Sequence, residues 1–112
     1  MINEKITIVT YKEEYSQAFK ELNLSWIKEY FHIEEEDLNS LNHPKAYFLD
    51  NGGEIFFAKF NDEIIGTVAL AHTSQGIYEL AKMAVNKKYH KQGIGRLLVE
   101  KCINFVKQKK GK

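Results

Sequence analysis

The stretch from Ile77 to Leu98, IYELAKMAVNKKYHKQGIGRLL, limits what this chain can become more than any other. Ile77 to Val85 is rich in apolar and branched residues and reads as a buried strand. After Gly95, the residues Leu97, Leu98, Cys102, Phe105 and Val106 recur at helical spacing. Between strand and helix, Asn86 to Gln92 carries Lys87, Lys88, His90 and Lys91 and no acid. A glycine-containing loop that opens a helix presents unpaired backbone N–H groups at the positive end of the helix dipole. Such a loop is an anion site suited to phosphate or pyrophosphate, and glycine there permits positive φ and close approach of a ligand.

Two well-known glycine loops do not fit. A dinucleotide fingerprint needs a third glycine where Leu98 stands, and a Walker A loop needs Gly-Lys-Ser/Thr, which is absent. A third does. His90-Lys91-Gln92-Gly93-Ile94-Gly95, preceded by Met83-Ala84-Val85 and followed by Arg96-Leu97-Leu98, resembles the acyl-CoA signature of the GNAT-type N-acetyltransferases, Arg/Gln-x-x-Gly-x-Gly/Ala. His90 departs from the first position of that pattern; Gly93 and Gly95 match it. Strand, basic loop and helix occur in the order the pattern requires.

The resemblance implies an α/β (α+β) fold with a mixed, mainly antiparallel sheet flanked by helices. It spans residues 1–112 as one domain, made of the N-terminal and central part of the GNAT fold through the helix after the acyl-CoA loop. The strand parallel to the central one, a further helix and two closing strands of that fold have no counterpart, so the chain reads as C-terminally truncated. The implied activity is transfer of an acetyl group from acetyl-CoA, the cosubstrate, to a primary amine of a small molecule or peptide. Met83 and Val85 would give main-chain contacts to the pantetheine or acetyl group. His90, Lys91, Gln92, Gly93, Ile94, Gly95 and Arg96 would cradle the pyrophosphate. The rival reading is a CoA-binding or oligomerising fragment without a complete catalytic site.

Composition narrows the function further. The net charge of +1 gives no global attraction to nucleic acid or to a membrane surface. One cysteine, Cys102, excludes an internal disulfide and a cysteine-rich zinc site, and His32, His43 and His72 lack metal-ligand spacing, so no metal is expected. No apolar run reaches signal-peptide or membrane-helix length, which makes the cytoplasm the expected location. An uncovered edge beside the central strand would favour a homodimer.

In chain order, Lys5 to Tyr11 reads as a first strand. Tyr11 to Phe31 carries the helical stripe Tyr15, Phe19, Leu22, Trp26, Ile27 and Tyr30, opened by Thr10 and Glu13 as a capping box and weakened near Asn23 and Ser25. Trp26, Tyr30 and Phe31 read as core, with lining of an acceptor pocket as the alternative. Glu34 to Asp37 reads as the solvated start of another helix, the alternative being an acidic rim that draws a cationic amine. Pro44 ends that region, and Tyr47 to Leu49 is a short apolar piece. Glu54 to Phe60, Glu63 to His72 and Ile77 to Val85 then form an antiparallel meander, with Gly66 marking a bulge or close packing.

Acetyl transfer to an amine needs a base for the ammonium proton and a donor for the developing oxyanion. Glu79 is the candidate base. It lies an even offset from Met83, so ideal pleating puts both on one face unless a bulge intervenes. A salt bridge to Lys59 or Lys82, or a solvent-facing position, is the competing reading. No general acid is assignable; Tyr78 and Tyr89 read as packing residues, and Cys102 as a buried structural thiol.

Overall fold

A computed structural model of the protein describes residues 5–30, 32 and 34–110. Four strands form one antiparallel sheet: β1 (Ile6–Thr10), β2 (Glu54–Phe60), β3 (Glu63–Ser74) and β4 (Ile77–Val85), in the order β1-β2-β3-β4. Helices α1 (Ser16–Tyr30) and α2 (Glu35–Asn42) separate β1 from β2, and α3 (Ile94–Lys110) follows β4. Among the described residues no helix is long and apolar enough to cross a membrane.

Successive aromatic residues of β2 point to opposite sheet faces, as strand pleating requires. Phe56 joins Val68 and Leu70 beneath the Ile94, Leu98 and Cys102 stripe of α3. Phe57 joins Ile55 and Ala69 beneath Phe19 and Ile27 of α1, Leu41 of α2, and Phe48. Each fully buried Phe or Leu in these layers contributes roughly 1.5–3 kcal/mol of transfer free energy. Both expectations for Gly66 hold. Ala58 pairs with Gly66 and Lys59 with Ile64, which leaves Ile65 as an extra residue on β3. A Cβ at Gly66 would lie 3.2 Å from Ile94 Cγ2 and 3.3 Å from Leu98 Cδ1, so its absence lets α3 sit close against the sheet.

Three local expectations are corrected. Thr10 caps no helix, because it pairs with Phe56 at the end of β1; the chain instead makes a 3₁₀ turn at Glu13–Tyr15 before α1 begins. Nor does α1 break at Asn23. That amide is buried and donates from Nδ2 to the Phe19 carbonyl at 2.9 Å, so the side chain that would compete with the helix is satisfied within it. The helical region does not end at Pro44, and the apolar piece Tyr47 to Leu49 is itself helical. Pro44 stops α2 but starts a single wide turn, Lys45–Leu49, closed by the Asp50 N–H onto the Lys45 carbonyl at 2.9 Å.

One irregularity bears directly on the site. Lys82 pairs with Ala69, and the next pair is Leu80 with Leu70, so Ala81 is an extra residue on β4. A one-residue bulge reverses which face every later side chain occupies. Met83, opposite Val68, therefore belongs to the α3 face, whereas Glu79, opposite Ala71, belongs to the face of α1 and α2 with Lys82.

Candidate active site

The loop between β4 and α3 is built from its own backbone. Asn86 accepts the Lys88 N–H on its side-chain oxygen at 2.9 Å and the Tyr89 N–H on its carbonyl at 2.9 Å, folding Lys87–Tyr89 into a 3₁₀ turn. Tyr89 is buried against Phe60, with ring centroids 5.9 Å apart, which anchors the turn to the core. Lys91 (φ 66°) and Gly93 (φ 81°) are both left-handed. These two left-handed residues turn the chain sharply into the first turn of α3, the kind of backbone in which anion-binding concavities form. The first intrahelical bond runs from the Leu97 N–H to the Gly93 carbonyl at 3.1 Å, leaving the N–H groups of Ile94, Gly95 and Arg96 without helical partners.

Glycine at position 95 has no internal reason. Its φ is ordinary, and a Cβ there would meet only Met83 Cε, at 3.9 Å. Glycine in a helix costs roughly 0.5–1 kcal/mol against alanine, so the open space beside it is where an external group can approach the backbone. An anion such as pyrophosphate fits this cradle on its donor chemistry.

A cleft of about 210 Å³ runs along this loop, lined by Trp26, Met83, Val85, His90, Lys91 and Gly95 among others. A second, of about 620 Å³, lies where α1 and α2 face β4 and is lined by Asn23, Trp26, Glu34, Asp37, Lys82 and Met83 with Ile27, His32 and Ala81. A third, of about 440 Å³, lies between α1 and the start of the loop and includes Glu29 and Lys87, which form an ion pair. In the second cleft Lys82 Nζ meets Asp37 Oδ1 at 2.7 Å, with both side chains mostly buried. The Lys82 hydrogen bond, aided by the Glu34 N–H on the other Asp37 oxygen, holds that carboxyl below the usual carboxylate range.

The residues expected at the site divide into two groups. His90, Lys91, Gly93, Ile94 and Gly95 share the loop cleft with Met83 and Val85. His90 also acts through its ring, Nε2 donating to the Val85 carbonyl at 2.8 Å. Gln92 and Arg96 are exposed and line none of the three clefts. Glu79 is exposed on the α1/α2 face of β4, two positions before the bulge, and makes no hydrogen bond or ion pair among the described residues. Neither lysine weighed as its partner is available: Lys82 is held by Asp37, and Lys59 lies near Asp62 and the Tyr15 hydroxyl.

Trp26 is not core. It is 40% exposed and lines all three clefts. The side chains of Tyr30 and Phe31 lie outside the described residues. Tyr78 and Tyr89 pack as expected, Tyr78 stacking on His72 at 4.8 Å. Cys102 is buried under α3, and burial pushes its thiol up to about 11. Sequence reasoning missed Asn23 and Lys82 as cleft residues. Both carry a legible signal: an amide between Phe19 and Ile27 on one apolar helical stripe, and a lysine inside an otherwise apolar strand.

The profile of the Acetyltransferase (GNAT) family matches residues 12–112. A GNAT-family acetyltransferase from Staphylococcus aureus Mu50 superposes with a TM-score of 0.85 at 30% identity, over 94% of this chain and 68% of that one. A GNAT-family acetyltransferase from Elizabethkingia anophelis, solved with acetyl-CoA bound, gives 0.60 at 27% identity, over 95% and 60%. An N-acetyltransferase from Thermoplasma acidophilum, solved with coenzyme A, gives 0.70 at 18% identity over 93% and 73%, a likeness of fold alone. No curated protein matches the sequence.

Proposed function

Because the chain belongs to the GNAT acetyltransferase family, we propose that it transfers the acetyl group of acetyl-CoA to a primary amine, by direct attack while both substrates are bound. The observation that carries this reading is the cradle after β4. Left-handed Lys91 and Gly93 lead into the unpartnered N–H groups of Ile94, Gly95 and Arg96, with open space over Gly95. Those donors hold the pyrophosphate, and Lys91 and Arg96 add positive charge beside it. Met83 and Val85 lie on the free edge of the described sheet, where backbone groups of β4 meet the pantetheine arm and the thioester carbonyl.

The amine enters from the larger cleft. Its acids, Glu34 and Asp37, face one lysine, Lys82, and Asp37 is already neutralised by that lysine, so Glu34 leaves the cleft net acidic. Asn23 lines the same cleft, its amide nitrogen already given to the Phe19 carbonyl. An acidic rim for a cationic acceptor, the lesser of the two sequence readings, is supported by this placement. The cosubstrate, when bound, supplies an activated acyl carbon. The amine nitrogen forms the C–N bond, the C–S bond breaks, and sulfur leaves with its electron pair as thiolate. Glu79, directly or through water, takes the ammonium proton from the α1/α2 side of β4. Holding the two reactants together supplies much of the rate.

The test is calorimetric titration of the chain with CoA and acetyl-CoA, followed by release of free thiol in the presence of a panel of amines: polyamines, amino acids, aminoglycosides and peptides. Micromolar binding with amine-dependent thiol release supports the reading. A folded chain that binds neither CoA nor acetyl-CoA overturns it.

A further inference from the structure

Transfer requires the thioester carbonyl to be reachable from both sides, so the acyl group must sit where the cofactor cleft and the acceptor cleft meet. Those two clefts share two lining residues, Trp26 and Met83. Trp26 comes from α1 and Met83 from the α3 face of β4, so they approach the junction from opposite sides of the sheet edge. They are also among the few large apolar side chains left open, at 40% and 37% exposure. Singly exposed apolar residues are ordinary, but two that wall the same junction form an apolar surface there. Met83 borders the open space over Gly95, its Cε lying 3.9 Å from where a Cβ of that glycine would stand.

We propose that Trp26 and Met83 set the length of the acyl chain, closing the junction around an acetyl group and excluding longer acyl groups; this rests on the acetyl-CoA reading above. The selection is steric. A longer chain must displace an indole whose rotation is limited by its place on α1, or a thioether that borders the anion cradle. Overpacking a formed apolar site is destabilising, whereas removing the obstructing ring opens a space that favours each added methylene.

Because Trp26 is the single tryptophan of the chain, its fluorescence reports the junction directly. In wild-type protein, acetyl-CoA is expected to alter the emission more than CoA does. Calorimetry with CoA, acetyl-CoA, butyryl-CoA and hexanoyl-CoA then reads selectivity without any acceptor. Wild type is expected to bind hexanoyl-CoA about tenfold more weakly than acetyl-CoA. Trp26→Ala is expected to raise hexanoyl-CoA binding relative to acetyl-CoA by about tenfold, each affinity being divided by that variant's own affinity for CoA, and Met83→Ala to do the same to a lesser degree. Should CoA and acetyl-CoA bind and the chain-length ratio stay fixed in both variants, the acyl-length assignment is overturned and the cosubstrate reading stands. Should wild type bind no CoA at all, both fall.

Discussion

His90 reaches back five residues, its Nε2 donating to the carbonyl oxygen of Val85 at 2.8 Å. The bond ties the cradle to the end of the strand that precedes it, so the departure from Arg or Gln at this position of the signature has a structural use. A hydrogen bond of this kind contributes about 0.5–1.5 kcal/mol. His90→Ala is therefore expected to weaken CoA binding about three- to tenfold by loosening the loop, with little change in thermal stability because the ring is exposed. Calorimetry paired with amide exchange of residues 86–93 checks both halves: affinity and protection should fall together.

Gly95 separates binding from folding. At Gly93, φ is 81°, so any side chain there strains the backbone and confuses the two effects. At Gly95 the conformation is ordinary and the space open. Gly95→Ala should hold or raise stability, by up to about 1 kcal/mol, while placing a methyl group in the path of the anion. The expected result is an unchanged or higher Tm with acetyl-CoA affinity reduced tenfold or more. Lower Tm and unchanged affinity would show that the open space is not the binding surface.

The Asp37–Lys82 pair joins α2 to β4 across the larger cleft. The Lys82 hydrogen bond lowers the Asp37 pKa, so the ionised form is favoured in the folded state. The stabilisation is then complete above the ordinary carboxylate pKa of about 4 and is lost as pH falls through the lower folded value. Asp37→Asn is expected to cost on the order of 1 kcal/mol at pH 7. The gap between wild type and variant should narrow below pH 4 in thermal melts; a gap that widens in acid would contradict the assignment.

Much of this was legible in the residues. Glu54–Phe60 and Ile77–Val85 announce themselves by apolar density between turn residues, and their limits agree with the observed β2 and β4. The glycine loop was equally plain, because anion cradles depend on backbone conformations that few residues other than glycine favour. Positions set by tertiary pairing were not. The bulge at Ala81 carries no residue signature, yet it moves Glu79 to the sheet face opposite Met83. Thr10 and Glu13 have the letters of a capping box, but the sheet pairing of Thr10 outranks a local motif. Trp26 falls on the apolar stripe of its helix, and only the free edge of β4 beside it leaves the indole open.

Cys102 offers a control on the integrity of the core. Its side chain is 4% exposed, and burial raises its thiol to about 11, so almost none is thiolate at pH 8. Native protein is expected to be inert to a disulfide reagent at pH 8 and to release one equivalent on denaturation. Rapid labelling of the native protein would mean that α3 opens from the sheet on the labelling timescale.

Glu79 gives the sharpest test of the transfer step. It stands exposed on the α1/α2 face of β4, three residues before Lys82 of the larger cleft though lining none of the three clefts itself, and it has no bonded partner among the described residues, while Met83 belongs to the opposite face. A base on the acceptor face should affect the proton transfer and leave cosubstrate binding alone. With a competent amine, Glu79→Gln is expected to lower kcat about 100-fold, the lower end of what a positioned base contributes. The acetyl-CoA Kd should stay within a factor of two. Retention of full kcat would move the base role to another acceptor-side carboxylate. Glu34 would be the first to examine, because it lines that cleft and, unlike Asp37, is not held by Lys82.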